Sequence, residues 1–334
     1  MKIAVVGATG RVGSQVARKL LNAGHHVKTL SRGGPALDQL VTLGAEPFLG
    51  SFDTGTGELG KFFQDVEAAF LMVRTDWSNI HGHYPVVAQR FVDALRHSPV
   101  RLAVSLSAIG SDVAGKTGHS EDFYILDQKL NELSNVDLVH LRASWFMENT
   151  LTWVGSVAKF GRMAWFFNPD LKMSWVTTDD IAGLASQELT HPTGEHRVIR
   201  EVGSEHLTMD ELAAIISQEI GRPVTYRCID RSRNDIKEAF LTRFGTLDRW
   251  LDDSLWADAY NNGIVRFHAF GPPIRPMLPT TMKSFIRDVW KPRFLDLIAS
   301  GHEDSETFYS WAARDQVEPG NGLAASILGW RVVN

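Results

Sequence analysis

The first 34 residues limit the fold more than any other stretch of this 334-residue chain. An apolar run, KIAVVGA, leads into three glycines at a spacing of three, and an amphipathic pattern follows that ends at Gly24. Apolar residues recur every four positions in that pattern, which is typical of one helix face. The glycines are Gly7, Gly10 and Gly13, and the apolar positions are Val12, Val16 and Leu20. A strand that passes through a glycine-rich turn into a helix predicts the first unit of a parallel α/β sheet.

The same alternation continues to about residue 150. Apolar runs separated by helical patterns such as PVVAQRFVDALRH indicate a parallel sheet that is covered on both faces. The further predicted strands are HHVKTLS, AEPFLGS, VEAAFLMV, RLAVSLSAIG and VDLVHLRASWF. We therefore predict an α/β fold with a doubly wound, parallel-sheet Rossmann domain over residues 1–150. A smaller, mixed C-terminal domain on the substrate side is predicted over 151–334, with part of 175–202 returning to pack on the sheet.

The second half carries fewer clear elements. LTMDELAAIISQEIG predicts a helix in which Thr208 and Glu211 form a capping box. Another helix is expected to start near Thr178. Capping and the helix dipole explain Asp179 and Asp180 at its start better than acid–base chemistry does.

Composition excludes several classes of protein. The net charge of −5 and the pI near 6.2 argue against nucleic acid or an anionic membrane as a partner. No apolar run is long enough to span a bilayer. The single cysteine, Cys228, excludes an internal disulfide framework and fits a reducing compartment. It lies in PVTYRCID and is predicted to be a small buried strand residue, and we expect a cytoplasmic protein.

The glycine-rich turn has the chemistry of a phosphate cradle. Gly7 permits the tight turn, Gly10 lets a pyrophosphate approach the backbone, and Gly13 lets the helix pack against the strand. The start of the helix adds free N–H groups and a partial positive charge. The strand before, the helix after and the second strand at the right distance favour a bound dinucleotide over a turn without a ligand.

The end of the second strand indicates which nucleotide binds. Ser31-Arg32 stands where an NAD-specific protein usually places an acid for the ribose 2′-hydroxyl. An arginine there can hold a 2′-phosphate with two charge-assisted hydrogen bonds, and Arg11 can add a second positive contact. We therefore predict NADPH (NADP) as the cofactor. The alternative is that Arg32 is a solvated surface arginine.

Five motifs, in this order, resemble the NmrA-like branch of the atypical short-chain dehydrogenases/reductases. They are GATGRVG, LSRG, LRASWFMEN, WVTTDDIAGLA and GSEHLTMDELAAIISQEIGRPVTY, and they cover most of residues 1–230. The resemblance implies that Phe52 and Asp53 contact the adenine and that residues 72–75 pass the nicotinamide ribose. Ser51 departs from the usual Gly-Asp pair of the family. The implied cofactor-binding residues are Gly7, Thr9, Gly10, Arg11, Val12, Gly13, Arg32, Phe52, Asp53, Met72, Val73, Arg74, Ser107 and Lys129.

The Tyr-x-x-x-Lys pair of ordinary short-chain dehydrogenases is not intact here. In EDFYILDQKLNEL, Tyr124 and Lys129 are five residues apart, which turns their side chains away from each other on a helix. Lys129 is similar to the lysine that isoflavone-reductase-like enzymes keep near the nicotinamide, so the resemblance implies that Lys129 holds the ribose hydroxyls and can donate a proton. Lys129, Tyr124 or a water is expected to supply any proton, which makes Lys129 and Tyr124 the candidate catalytic residues. The alternative for Lys129 is a surface pair with Glu132 or Asp127. Ser107 stands where the superfamily places its serine, and a plain turn former is the alternative.

Histidines offer weaker candidates. His81 and His83, in HGHY, form a metal site only if a third ligand converges on them, so no metal is predicted. They are expected to line the nicotinamide loop or to face solvent. His119 is close to Tyr124 in sequence and is a weak candidate for an acid.

Aromatic residues suggest the substrate class. Most of them are expected in the core, but Trp145, Phe146 and Trp175 are predicted to edge the pocket at the sheet's switch point. Such a pocket suits a quinone or a similar conjugated carbonyl. We predict an NADPH-dependent oxidoreductase that transfers hydride to a small, flat, apolar electrophile.

A second class of function stays open at this point. Some NmrA-like proteins bind nucleotides as redox sensors and regulate a protein partner without turnover, and the broken dyad is compatible with that role. An isomerase or epimerase is less favoured because that chemistry normally keeps the tyrosine. A homodimer is also left open.

Overall fold

The computed structural model describes residues 1–53, 55–267 and 278–301. In this part of the chain, seven strands form one sheet. They are β1 (Lys2–Val6), β2 (His26–Ser31), β3 (Glu46–Leu49), β4 (Ala68–Leu71), β5 (Leu102–Ala108), β6 (Asp137–Ala143) and β10 (Arg197–Val202). Their order across the sheet is β10-β6-β5-β4-β1-β2-β3, and the paired strands are parallel.

The sheet is doubly wound about β1. Val5 of β1 pairs with Thr29 on one side and with Phe70 on the other. The chain therefore leaves β1 in one direction to form β2 and β3, and then returns to form β4, β5 and β6 on the other side. The carboxyl ends of β1 and β4 mark the switch point, where open α/β sheets bind their ligands. The predicted fold class is confirmed.

Helices cover both faces of this sheet, as the apolar patterns predicted. On one face, Val16 and Ile181 are fully buried, and on the other Phe62 and Phe91 are. Burial of side chains this large stabilises the fold by about 2 kcal/mol each. The first face carries α1 (Arg11–Asn22), α2 (Pro35–Thr42) and α7 (Thr178–Thr190), and the second carries α3 (Thr56–Phe63), α4 (His83–Arg96) and α5 (Ser120–Leu130).

The chain divides into two compact units. Of the described residues, the first comprises 1–53, 55–148, 173–206, 264–267 and 278–280, and the second comprises 149–172, 207–263 and 281–301. The seven-stranded sheet lies in the first unit. A separate three-stranded sheet consists of β7 (Trp145–Phe146), β9 (Met173–Val176) and β11 (Glu205–Leu207), in the order β11-β9-β7.

The second unit is mainly helical. Among its described residues, the strands β8 (Arg162–Trp165) and β12 (Thr225–Cys228) pair in parallel. Its helices are α6 (Val154–Phe160), α8 (Met209–Ile220), α9 (Asn234–Phe244), α10 (Leu247–Asn261), α11 (Met282–Phe285) and α12 (Lys291–Ala299), with a 3₁₀ segment at Met147–Trp153 and a π-helical turn at Ile286–Trp290. None of the helices in the described residues is both long enough and apolar enough to cross a membrane.

Two local predictions for the second half are confirmed and one is wrong. The Thr208 hydroxyl accepts from the Glu211 N–H at 3.1 Å, and the Thr208 N–H donates to the Glu211 carboxylate at 2.8 Å, so the capping box is present. Helix α7 does start at Thr178. Cys228, in contrast, is half-buried rather than buried, because it ends β12, a strand of a small sheet in which only two strands of the described chain pair. Partial burial raises the pKa of its thiol. The segment FGPPIRPMLPTT, whose prolines and glycine predict a rigid, turn-rich connection, lies mostly outside the described residues.

Candidate cofactor site

The turn between β1 and α1 is held in a left-handed conformation. Gly7 has φ of +70°, which favours glycine. The Gly10 N–H donates to the Gly7 carbonyl at 2.9 Å and closes the turn, and the Ser14 N–H donates to the Gly10 carbonyl at 3.0 Å. Helix α1 thus begins at Arg11, directly after the turn.

Close packing explains the other glycines. A Cβ atom on Gly13 would lie 2.2 Å from the Gly7 carbonyl oxygen, and one on Gly10 would lie 3.2 Å from the same atom. A Cβ on Gly7 would lie 2.5 Å from Sδ of Met72, which follows β4. The spacing of three therefore lets the helix start close to the strand, as predicted.

The start of α1 is open to an anion. No side chain caps it, and its first turn carries no acidic residue. The first N–H groups of a helix lack carbonyl partners within the helix, and the dipole adds a partial positive charge there. A phosphate group is the ligand that such an end favours.

A cavity of about 460 Å³ opens at this turn, at the carboxyl ends of the strands. Its walls come from the glycine-rich turn, the ends of β2, β3 and β4 with the residues that follow them, and one residue each of β5 and β7. The lining residues are Gly7, Thr9, Gly10, Arg11, Val12, Leu30, Ser31, Arg32, Gly50, Ser51, Phe52, Asp53, Met72, Arg74, Leu106 and Phe146.

The cavity is lined by more positive than negative charge. Arg11, Arg32 and Arg74 are all exposed, and Asp53 is the one acidic residue among the lining positions. Across the described residues, no ion pair involves any of these three arginines. Arg32 directly follows Ser31, whose hydroxyl accepts from the Gly33 N–H at 3.2 Å. The three guanidinium groups can therefore bind a phosphate-bearing ligand without first breaking an ion pair to another described residue.

Residues 50–53, which follow β3, form another part of the cavity wall. The Ser51 hydroxyl donates to the Asp53 carboxylate at 2.9 Å, and the Asp53 N–H donates back to that hydroxyl at 3.1 Å. Arg90 of α4 donates to the carbonyls of Phe52 and Asp53 at 3.2 and 2.9 Å. Sequence reasoning missed Arg90, since its partners are 37 and 38 residues away and no local motif marks the contact.

The segment after β4 contributes Met72 and Arg74 to the cavity but not Val73. The Val73 side chain is 5% exposed and packs in the core. Its carbonyl accepts from the Tyr84 hydroxyl at 3.0 Å, and burial raises the pKa of Tyr84. The hydrogen bond from Tyr84 to the Val73 carbonyl thus anchors the segment that carries Met72 and Arg74.

Ser107 does not line the cavity either. It is 2% exposed, and its hydroxyl donates to Asp127 at 3.0 Å. Ser111 donates to the same carboxylate oxygen at 2.8 Å. His140 Nδ1 lies 3.0 Å from the other oxygen, outside hydrogen-bond geometry, and Arg142 Nε lies 3.5 Å from Asp127. This buried network around Asp127 was also missed, because distant positions in the chain form it.

The two residues implied as catalytic do not line the cavity. Lys129 pairs with Glu132 at 2.8 Å, and the two side chains are 38% and 45% exposed. This is the surface pair that the sequence offered as the alternative. Tyr124 is half-buried on α5. The roles of both residues remain predictions from the family resemblance.

Of the three aromatic residues predicted at the pocket, one lines the cavity and two do not. Phe146 lines the cavity. Trp145 packs against Trp175 with 4.9 Å between ring centroids, and Trp175 is 0% exposed. Trp175 is therefore a core residue and Trp145 is half-buried against it, and neither is among the residues that line the cavity.

These residues suit a dinucleotide. The left-handed Gly7 and the contact that excludes a Cβ at Gly13 bring an uncapped helix start to the cavity, and the arginines match phosphate charge. A sequence model of the NAD(P)H-binding family matches residues 7–192, more than half of the chain. The chain belongs to the NAD(P)H-binding family.

Similar proteins of this type are named as reductases. A (4-alkanoyl-5-oxo-2,5-dihydrofuran-3-yl)methyl phosphate reductase of Streptomyces griseus is 31% identical, over 67% of this chain and 76% of its own length. An NAD(P)H azoreductase of Xenophilus azovorans is 26% identical, over 81% of this chain and 87% of its own length.

Solved structures share the fold. The NADPH-dependent quinone oxidoreductase QOR2 of Escherichia coli, complexed with NADPH, superposes with a TM-score of 0.72 at 18% identity, covering 86% of this chain and 99% of that one. NmrA, a negative transcriptional regulator in complex with NADP, superposes with a TM-score of 0.68 at 16% identity, covering 90% of this chain and 97% of that one. The predicted NmrA-like resemblance is confirmed.

Proposed function

We propose that this protein is an NADPH-dependent oxidoreductase that reduces a small, flat, apolar acceptor, such as a quinone or another conjugated carbonyl. The observation that carries the proposal is Arg32, an exposed arginine on the wall of the glycine-rich cavity with no ion-pair partner among the described residues. An acid at this position would repel a 2′-phosphate, whereas a guanidinium can bind one with two hydrogen bonds.

The chain's own residues divide the binding of the nucleotide among them. The backbone from Gly7 to Gly13 and the start of α1 would hold the pyrophosphate, and Arg32 and Arg11 would hold the 2′-phosphate. Phe52 would contact the adenine, and Arg90 fixes the backbone of Phe52 by donating to its carbonyl. When bound, the reduced nicotinamide supplies a hydride to the acceptor.

The acceptor binds next to apolar side chains of the cavity. Leu106, Met72 and Phe146 line it, and an apolar wall with few polar groups is typical of small-molecule sites. One of the similar proteins is named as an azoreductase, and QOR2, which shares the fold, is named as a quinone oxidoreductase. Both names support a flat, conjugated acceptor. Phe146 is the residue we propose to stack on it.

Turnover with a panel of quinones, enones and azo dyes tests the proposal. Wild-type protein should oxidise NADPH faster than the no-enzyme rate with at least one quinone. Phe146→Ala should raise the KM for that quinone more than the Kd for NADPH. Phe123→Ala is the matched control, since Phe123 is half-buried and packs on the other face of the sheet. Background rates with every acceptor would refute the reductase.

A second candidate is a nucleotide-binding redox sensor that acts through a protein partner. The observation that favours it is the placement of Tyr124 and Lys129 away from the cavity lining, with Lys129 paired to Glu132. Tight, redox-selective nucleotide binding without turnover of any acceptor would support the sensor over the reductase.

A further inference from the structure

Helix α5 carries two buried aspartates, and each faces a histidine. Asp127 and its partner His140 are 1% and 2% exposed. Asp122 is also 1% exposed, but its partner His81 is 45% exposed, with 3.1 Å between His81 Nδ1 and Asp122 Oδ1. The inner pair is sealed in the core. The outer pair joins a buried carboxylate to an imidazole that solvent and small molecules can reach.

The backbone of His81 is strained. Its φ is +64°, a left-handed value that few residues other than glycine adopt. The flanking turn fixes this conformation, since the N–H groups of Gly82 and His83 both donate to the Asn79 carbonyl, at 3.3 and 3.2 Å. Strained residues of this kind cluster at functional sites, where the surrounding structure holds a side chain in a required position.

His81 and Asp122 both follow strands of the sheet on the side of their carboxyl ends, the edge at which the cavity opens. His81 is in the segment between β4 and α4. Met72 and Arg74 of that segment line the cavity, and His81 itself is not among the lining residues. Asp122 is in the first turn of α5, which follows the carboxyl end of β5. His83, two residues on, has other partners: its ring lies 6.0 Å from that of Phe52, and its Nδ1 lies 3.8 Å from Asp53. The two histidines of HGHY therefore belong to separate contacts.

We propose that His81, oriented by Asp122, donates the proton that completes reduction of the acceptor. This inference rests on the proposed reductase function. The acceptor takes two electrons and one hydrogen nucleus as hydride from NADPH, which leaves an oxygen anion. That oxygen forms an O–H bond with the Nε2 proton of the His81 imidazolium as the N–H bond breaks, which leaves the neutral imidazole with its Nδ1–H on Asp122, and Nε2 then takes a proton from water.

Asp122 supports this step by fixing the tautomer. A carboxylate that accepts from Nδ1–H orients the ring and stabilises the charged imidazolium. The ring edge that carries Nε2 then points away from the buried Asp122. Asp122 is accordingly a positioning residue, and His81 is the proton donor.

The variant His81→Gly tests the proposal, because glycine accepts a φ of +64° and so preserves the turn. With NADPH and a soluble naphthoquinone as the probe, kcat should fall by at least about 100-fold, in line with the usual effect of a general acid. Added imidazole should restore part of the loss. Asp122→Asn should lower kcat as well, but it should add little to the loss in the His81→Gly background.

His196→Gly is the matched control. His196 Nδ1 lies 3.0 Å from Asp137, and the pair is 49% and 44% exposed, but Asp137 begins β6 and so lies at the opposite edge of the sheet. This variant should keep wild-type kcat. Diethyl pyrocarbonate labelling gives a readout that does not need turnover: NADP⁺ together with the naphthohydroquinone should protect His81 and leave His196 reactive.

The outcomes separate the two proposals. A kcat within about threefold of wild type for His81→Gly, a loss that imidazole does not rescue, or equal labelling of His81 with and without ligands would overturn the role of His81 while the reductase stands. Wild-type protein that reduces no acceptor would overturn the proposed function, and the role of His81 with it.

Discussion

Gly13 lies directly against the backbone of Gly7, since a Cβ atom at position 13 would come within 2.2 Å of the Gly7 carbonyl oxygen. This contact sets how closely α1 approaches β1, and hence where the helix start meets the cavity. Because the obstacle is backbone rather than a flexible side chain, an added methyl group must displace the turn itself.

Gly13→Ala should therefore weaken both the fold and the site. We expect a loss of about 1–3 kcal/mol in the free energy of unfolding, as for other overpacked positions, together with weaker NADPH binding. Denaturant unfolding and nucleotide titration measure the two effects. Gly60→Ala in α3 is the control, since nothing lies within 4 Å of its Cβ position, and it should be neutral or stabilising. Equal effects of the two substitutions would contradict the packing argument.

Asp127→Ala should destabilise the first unit. The carboxylate accepts from Ser107 and Ser111 and lies next to His140 and Arg142; the two serines and His140 are buried, and Arg142 is 13% exposed. Removing one partner of a buried charged network costs about 3 kcal/mol or more. Glu132→Ala, which removes an exposed partner, should cost less than about 1 kcal/mol. Urea unfolding of both variants checks this, and a similar cost for each would show that the Asp127 network is not a major source of stability.

Lys129→Ala tests the role that the family resemblance implies. Because the ammonium pairs with Glu132 and does not line the cavity, we expect NADPH affinity and kcat to change by less than about threefold, the scale of a surface ion pair. Steady-state kinetics with the best quinone measures both. A loss of kcat of about 100-fold would instead show that Lys129 acts at the nicotinamide.

Asp65 should make stability depend on pH between about 4 and 2. Hydrogen bonds from Lys2 and Lys28 lower the pKa of Asp65 from 3.8 to about 2. A carboxyl with a lowered pKa in the folded state stabilises the fold above about pH 4, and that stabilisation is lost as the pH falls through about 2. Since Asp65 is 49% exposed, screening limits the effect to less than about 1 kcal/mol. The urea midpoint of Asp65→Asn should thus be lower than that of wild type near neutral pH and equal to it near pH 2. A difference between the two midpoints that persists at pH 2 would show that ionisation of Asp65 is not its cause.

The sequence predicted the fold well where local pattern decides structure. KIAVVGA contains β1, the glycine spacing correctly predicted the turn at Gly7, and Thr208 and Glu211 form the predicted capping box. Each of these depends on residues within a few positions of one another. Ser144 interrupts the predicted sixth strand, so that Trp145 and Phe146 form a separate short strand beside β9.

Long-range contacts could not be predicted in the same way. The pairs His81–Asp122 and Ser107–Asp127 join positions 41 and 20 residues apart, and no local spacing marks them. Aromatic composition could not separate Phe146 on the cavity wall from Trp175 in the core. The end of β2 was more informative, because the chain direction alone puts Arg32 at the carboxyl edge of the sheet.

The most direct test of the account is a titration of nucleotide-free protein with NADPH, NADP⁺, NADH and NAD⁺, followed by quenching of its 10 tryptophans. Wild type should prefer the phosphorylated pair. Arg32→Glu should lose at least about tenfold in affinity for NADPH and much less for NADH, because a charged hydrogen-bond pair is replaced by repulsion. Arg96→Glu, an exposed arginine at the end of α4 near the opposite edge of the sheet, should change neither affinity. Equal binding of all four nucleotides by wild type, or equal losses for NADPH and NADH in Arg32→Glu, would contradict the assignment of Arg32 to the 2′-phosphate.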